Sequence, residues 1–237
     1  MRRFWAIRRG ILAIVLLFFV GTAIIYLSQT RRNAAPVAAF RQTTLVIDAG
    51  HGGLDGGAVS ADGDRESAIN LAVALRLYDL CRLFGQSAVM TRESETLDYP
   101  PEASTVREKK VWDQKRRLEL VNASPEAVFL SIHQNHYPDA RPSGTQVLYA
   151  GTEGSEAFAE YAHELLRQHL CPENRRVAAP ASDDIYLMKH VNCPAILVEC
   201  GFLSNPEEAR KLTDPSYQTK LAAILCAACL NEISPAI

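Results

Sequence analysis

Three apolar runs in this chain end in residues able to bind a metal or carry a proton: Asp48-Ala49-Gly50-His51-Gly52-Gly53, Ser131-Ile132-His133-Gln134-Asn135 and Val198-Glu199-Cys200-Gly201. A catalytic zinc commonly takes three nitrogen or oxygen ligands and leaves a fourth position for water, and His51 and His133 offer two imidazoles. Glu66 closes the turn Gly63-Asp64-Arg65-Glu66 at the start of a helical pattern. Either the rigid first turn aims its carboxylate at the strand ends, or Glu66 only favours the positive end of the helix dipole. Glu199 ends an apolar strand pattern, where a carboxylate is costly unless a metal, hydrogen bonds or a catalytic task compensates it. Both histidines have plainer readings as well, His51 as part of a glycine-rich turn and His133 as a hydrogen-bonded residue at a sheet end. His136 completes an H-x-x-H spacing with His133, but it follows a strand rather than riding on a helix, so it is expected in a loop near the cleft. His163, His169 and His190 are expected to be surface or structural residues.

Residues this far apart in sequence converge if they sit at the carboxyl ends of neighbouring strands in an α/β sheet, where ligands collect. From Thr43 onward, short apolar runs alternate with longer amphipathic stretches. Strands are expected at Thr43 to Gly50, Ser87 to Arg92, Ala127 to His133, Thr145 to Ala150 and Ala195 to Cys200, from β-branched content and turn-rich borders. Apolar spacing predicts helices over Glu66 to Phe84, Gly154 to Leu170 and Ser216 to Ile233. Leu97 to Val111, with Pro100, Pro101 and several charges, is the least regular stretch: either a loop beside the site or a solvated connection. The expected fold class is α/β, a single domain with a twisted, central, mostly parallel sheet flanked by helices and preceded by one N-terminal transmembrane helix.

That helix is read from Ile11 to Leu27, an uncharged apolar run that would extend about 25 Å, close to the hydrocarbon thickness of a bilayer. Arg2, Arg3, Arg8 and Arg9 precede it, which retains the N-terminus in the cytoplasm and exports the rest; a cleaved signal peptide is the alternative, and it also exports the domain. The expected organisation is a cytoplasmic basic segment at 1–10, a membrane anchor at 11–28, a linker at 29–42 and a catalytic domain at 43–233. A formal net charge of -2 argues against a dedicated nucleic-acid binder. The six cysteines lack the paired C-x-x-C clusters of a structural zinc site, and Cys226 and Cys229 fall on one face of an apolar helical stretch, where core packing accounts for them. Export would permit a disulfide bridge, although a domain this large does not need a disulfide framework.

The motifs IDAGHGG (Ile47 to Gly53), RESAINLA (Arg65 to Ala72), SIHQN (Ser131 to Asn135), SGTQVLY (Ser143 to Tyr149) and NCPAILVECGFLSNPEE (Asn192 to Glu208) occur in this order. Together they resemble the zinc-dependent N-acetylmuramoyl-L-alanine amidases of the Amidase_3 type, over Thr43 to about Ile233. The resemblance implies that His51, Glu66 and His133 bind Zn2+ and that Glu199 is the catalytic glutamate. Gln134 and Cys200 depart from the usual pattern, which leaves the ligand set intact and is expected to alter substrate fit. The resemblance assigns Cys200 no nucleophilic role. The N-terminal run makes the expected protein a single-pass membrane enzyme with an extracytoplasmic catalytic domain, and the resemblance adds peptidoglycan as its partner while naming no activating protein. The organisation looks nearest to sporulation-associated amidases, which implies removal of stem peptides before muramic δ-lactam formation in spore cortex. A vegetative role in wall turnover or cell separation is the alternative, and a zinc peptidase or a non-catalytic wall-binding protein are the rivals of other classes. The short connection from Ala150 to Gly154 leaves little room for the inhibitory helix of some relatives.

Overall fold

The computed structural model describes residues 43–234 apart from residue 125, so the basic segment, membrane helix and linker read from the sequence lie outside the described residues. Five apolar runs form strands close to their expected bounds: β1 (Leu45–Ala49), β2 (Ala88–Met90), β3 (Val128–Asn135), β4 (Gln146–Tyr149) and β6 (Ala195–Phe202). A two-residue strand, β5 (Ala179–Pro180), completes a six-stranded sheet of order β2-β1-β3-β6-β4-β5. β2, β1, β3 and β6 run parallel, whereas β4 pairs antiparallel with β6 and carries β5 parallel to itself. The sheet is therefore mixed, with its parallel part holding all three chemically suggestive strand ends.

Helices α1 (Glu66–Leu83), α2 (Val106–Ala123), α3 (Ser155–Leu170), α4 (Tyr186–His190), α5 (Pro206–Thr213) and α6 (Pro215–Ile233) surround the sheet. Side chains alternate between the faces of each strand, and the core divides accordingly. Leu45, Ile47, Leu130, Ile132, Ile196 and Val198 pack with α1, α3 and α6 on one face, while Val46, Phe129 and Leu197 pack with Val121 of α2 and Leu187 and Met188 of α4 on the other. Phe129 and Phe158 are wholly or almost wholly buried on opposite faces, each contributing about 1.5–3 kcal/mol of transfer free energy. Cys81 of α1 and Cys226 of α6 bring their thiols to 3.7 Å inside this packing, and all six cysteines are buried and free.

Helix α2 begins inside the stretch read as irregular. A capping box starts it: Thr105 accepts from the Glu108 amide, and the Glu108 carboxylate reaches back to the Thr105 amide. Asn205 and Asp214 cap α5 and α6, each followed by a proline at the first helical position. From β1 the chain turns through α1 to β2 on one side, and from β3 the remaining strands lie on the other. The crevice between the carboxyl ends of β1 and β3 is thus a topological switch point, where open α/β sheets bind ligands.

Candidate active site

Glu66 is the first residue of α1, and its carboxylate is the hub of this crevice. Oε1 lies 3.2 Å from Nε2 of His51, just beyond β1, and 3.0 Å from Nδ1 of His133 near the end of β3. The same oxygen accepts from the Gln134 amide at 3.0 Å, while Oε2 accepts from the Ala58 amide at 2.9 Å. One ligand atom from each of His51, Glu66 and His133 falls within 4.8 Å of the others. The imidazole rings meet edge to face, 4.9 Å between centroids. On the other side of His51, Nδ1 lies 3.1 Å from Asp55, whose second oxygen pairs with Lys110 at 3.0 Å. A carboxylate on the far nitrogen is the usual means of orienting a metal-binding imidazole.

Burial opposes charge on His51, but the carboxylates of Asp55 and Glu66 outweigh it and raise its pKa to about 9. Burial also pushes the Glu66 carboxyl up, yet His133 and His51 overcome that effect and hold it well below the usual carboxylate range. Glu199 sits beside this group, because its Cα is paired with that of His133 across the β3–β6 ladder. It is half-buried, and its Oε2 is enclosed without a hydrogen-bond partner. Desolvation, reinforced by Glu66 and opposed by the two histidines, lifts its pKa to about 7. The structure thus brings together all four residues singled out from the sequence.

Glycines in and just after the first motif are required by space. A Cβ on Gly50 would stand 2.3 Å from the His133 ring, and one on Gly57, where φ is +67°, would stand 2.5 Å from the Glu66 carboxylate. His51 itself adopts φ of 60°, a region unfavourable to residues other than glycine. Two buried arginines hold the loop in that shape. Arg92 donates to the carbonyls of Ala49 at 2.9 Å, Gly50 at 3.0 Å and Ser67 at 2.7 Å. Arg117 donates to the carbonyls of Ala49 and His51, and pairs with Asp48 at 2.7 Å and Asp113 at 2.6 Å. Asp48 also accepts from Ser131 and Thr91. Sequence reasoning missed these positioning residues; the available signals were an aspartate inside an apolar strand and an arginine at a strand end.

Gln134 and Cys200 prove to be 3% and 1% exposed, on the side of the strands away from the cleft. Gln134 donates to Asn70 at 3.0 Å, and Asn70 in turn donates to the Gly50 carbonyl. The departures at these two positions therefore act on packing behind the site rather than on substrate contact. Burial, aided by Glu199, pushes the Cys200 thiol well above its ordinary value, which removes it as a nucleophile. His136 is an exposed loop residue after β3, His169 and His190 are exposed, and His163 is buried in α3. The stretch after Leu97 does border the crevice: Tyr99 lines a cavity with His51 and His133, and its hydroxyl accepts from the Leu54 amide at 3.2 Å.

Two imidazoles and a carboxylate at the carboxyl ends of parallel strands, joined by a second carboxylate from the start of α1, make this an α/β protein with a candidate hydrolytic centre able to hold a metal. The family model for N-acetylmuramoyl-L-alanine amidase, Amidase_3, matches residues 45–231, and the chain belongs to that family. It is 40% identical over 181 residues to the germination-specific N-acetylmuramoyl-L-alanine amidase of Bacillus subtilis strain 168, covering 76% of this chain and 75% of that protein. The structure of the CwlD amidase from Clostridioides difficile in complex with the GerS lipoprotein matches with a TM-score of 0.77 and 35% identity, over 81% of this chain and 98% of that one. The amidase AmiC2 of Nostoc punctiforme matches at 0.68 and 25% identity, over 80% and 96%. The chain is accordingly an amidase of peptidoglycan.

Proposed function

We propose that the chain is a zinc-dependent enzyme that hydrolyses the amide between the lactyl group of N-acetylmuramic acid and L-alanine, with His51, Glu66 and His133 as zinc ligands and Glu199 as the catalytic residue. The observation that carries this is the Glu66 oxygen shared between two imidazole nitrogens at 3.2 and 3.0 Å, beside a buried carboxylate oxygen of Glu199 that has no partner. The donor set of two nitrogens and one oxygen fits zinc at a catalytic site. When bound there, zinc supplies a Lewis acid that polarises a carbonyl and lowers the pKa of water.

The protein's own groups do the rest. Glu199, whose carboxyl is raised above the ordinary carboxylate range by burial, takes the proton from the attacking water. The water oxygen bonds to the lactyl carbonyl carbon, the carbon–nitrogen bond breaks, and Glu199 returns the proton to the alanine nitrogen. The products are a lactyl carboxylate on the glycan and a free stem peptide. Asp55 holds the His51 ring, and Arg92 and Arg117 hold the loop behind it.

The likeness to a germination-specific amidase and to CwlD supports a role in spore cortex, with peptide removal ahead of muramic δ-lactam formation. The relative's complex with a lipoprotein supports a protein partner of that kind, and the apolar run at Ile11 to Leu27 supports a membrane anchor with the catalytic domain outside the cytoplasm. The test is mass spectrometry of peptidoglycan digested by the full-length chain, chelated and then zinc-restored, with Glu199→Ala alongside. Zinc-dependent release of intact stem peptides starting at L-alanine is expected. Peptides cut internally would replace this reading with a peptidase, and equal release by Glu199→Ala would remove Glu199 from the chemistry.

A further inference from the structure

Tyr99 and Trp112 form the wall between two hollows. The first adjoins the candidate site and is lined by His51, Asp55, Tyr99, Lys110 and Gln114 among others. The second lies across the wall, with Pro100, Ala103, Val111 and Trp112 supplying apolar surface and Thr105 a hydroxyl. The wall is fixed. The two rings meet at 67° with centroids 5.9 Å apart, and the Arg116 guanidinium lies 5.7 Å from the indole centroid. The Tyr99 hydroxyl is held by the Leu54 amide, and a Cβ on Gly53 would stand 2.2 Å from it, so the wall is seated directly on the loop that follows His51. At the other end, the capping box at Thr105 sets the start of the helix that carries Val111 and Trp112. Nothing in the proposed reaction uses this second hollow.

We propose that it is a glycan subsite that seats a sugar ring of the strand flanking the muramic acid being cleaved. The inference rests on the amidase reading only in taking peptidoglycan as the ligand. A polymer extends well past the scissile amide on both its sugar and its peptide arms, and a groove sharing a wall with the reacting centre lies within reach of one of them. Charge decides between the arms. The groove's ionic lining consists of Arg107 and Lys115 against Glu102 and Glu108, which cancels, so it offers an acidic stem peptide no net attraction. A pyranose ring presents C–H groups on its face and hydroxyl and acetamido groups around its rim. That pattern matches an indole and aliphatic floor edged by a hydroxyl and by side chains of both signs.

The chain contains two tryptophans, Trp5 and Trp112, so in full-length Trp5→Phe protein the indole fluorescence comes from Trp112 alone, and a substitution inside the groove tells its occupancy from that of the neighbouring cavity. The protein would be titrated with a peptide-free tetrasaccharide of the glycan strand and, separately, with free stem peptide. A saturable change with the tetrasaccharide is expected, weakened at least about tenfold by Val111→Asp, a substitution at a residue 43% exposed whose folding is checked by thermal unfolding. A saturable response to the stem peptide instead, a response to neither, or a folded Val111→Asp protein that binds as before would overturn the subsite. Should Val111→Asp not fold, Lys115→Glu combined with Arg107→Glu tests the same groove, with tetrasaccharide binding expected to persist less tightly while the acidic peptide gains nothing. Amide hydrolysis measured in parallel separates the two readings: binding without hydrolysis sinks the proposed reaction and leaves the subsite standing, and hydrolysis without binding does the reverse.

Discussion

Replacing Arg117 with Met removes a buried cation and keeps most of the aliphatic stem. It leaves Asp48, which has no exposed surface, with only the hydroxyls of Ser131 and Thr91 as hydrogen-bond partners, and leaves Asp113 with Arg116 alone. Breaking a buried ion pair from one side costs about 3–5 kcal/mol, a large part of a total stability of about 5–15 kcal/mol. The pH dependence gives the argument its sign. In the intact protein burial pushes the Asp48 carboxyl up, but Arg117, His133 and the two hydroxyls bring it down from 3.8 to about 2. A lowered native pKa stabilises the fold above the unfolded value, by about 2 kcal/mol, and the contribution is lost as pH falls from about 4 through about 2. Without Arg117 the effect of burial is less opposed, so the native pKa rises and Asp48 ceases to stabilise the fold near neutrality. The stability gap between the two proteins should therefore narrow as pH is lowered from about 7 to about 3, since protonation relieves the stranded charge. Urea unfolding at several pH values measures this directly, with Asp48→Asn/Arg117→Met expected to recover about 1–3 kcal/mol through coupling of the pair. A cost below about 1 kcal/mol at neutral pH, a gap independent of pH, or an additive double variant would refute the reasoning.

Glu199→Gln should lower kcat by about 10²–10⁴-fold while bound zinc, measured by elemental analysis, stays near one ion per chain. Gly50→Ala should displace the His133 ring and cost about 1–3 kcal/mol by overpacking, seen as weaker zinc retention in competition with a chelator and a lower Tm. Removing zinc should abolish amide release and lower stability, and restoring free zinc to about 100-fold its Kd should return about 2.7 kcal/mol; a Tm indifferent to zinc would count against the ligand set. Thr105→Ala should cost about 1 kcal/mol through the lost cap, measured by denaturation.

The strands were legible because β1, β3 and β6 are buried on both faces and read as continuous apolar runs. The direction of β4 was not, since nothing in the run Gln146 to Tyr149 separates a parallel from an antiparallel strand, and β4 in fact reverses against β6. Helix α2 was obscured at its start by Pro100, Pro101 and dense charge, although Thr105 and Glu108 spell a capping box. α4 has five residues and α5 eight, too few for a helical period to stand out. The candidate site was legible as residue types at strand ends. Glu66 was the most ambiguous without the family resemblance, because a glutamate at a helix start serves the dipole whether or not it binds anything. Arg92 and Arg117 resemble surface charges in sequence, and only the tertiary arrangement turns them inward onto the carbonyls of Ala49, Gly50 and His51.

The order in which the chain lays down its strands differs from their order in space. β6 comes last in sequence yet lies between β3 and β4, which the chain has already made. Until it inserts, those two strands have no ladder to each other, and parallel pairing between segments some 66 residues apart closes slowly. Glu199 travels on this keystone strand. A nascent chain therefore holds His51, Glu66 and His133 before it holds the carboxylate proposed to move the proton, so the proposed catalytic set is complete only when the sheet is.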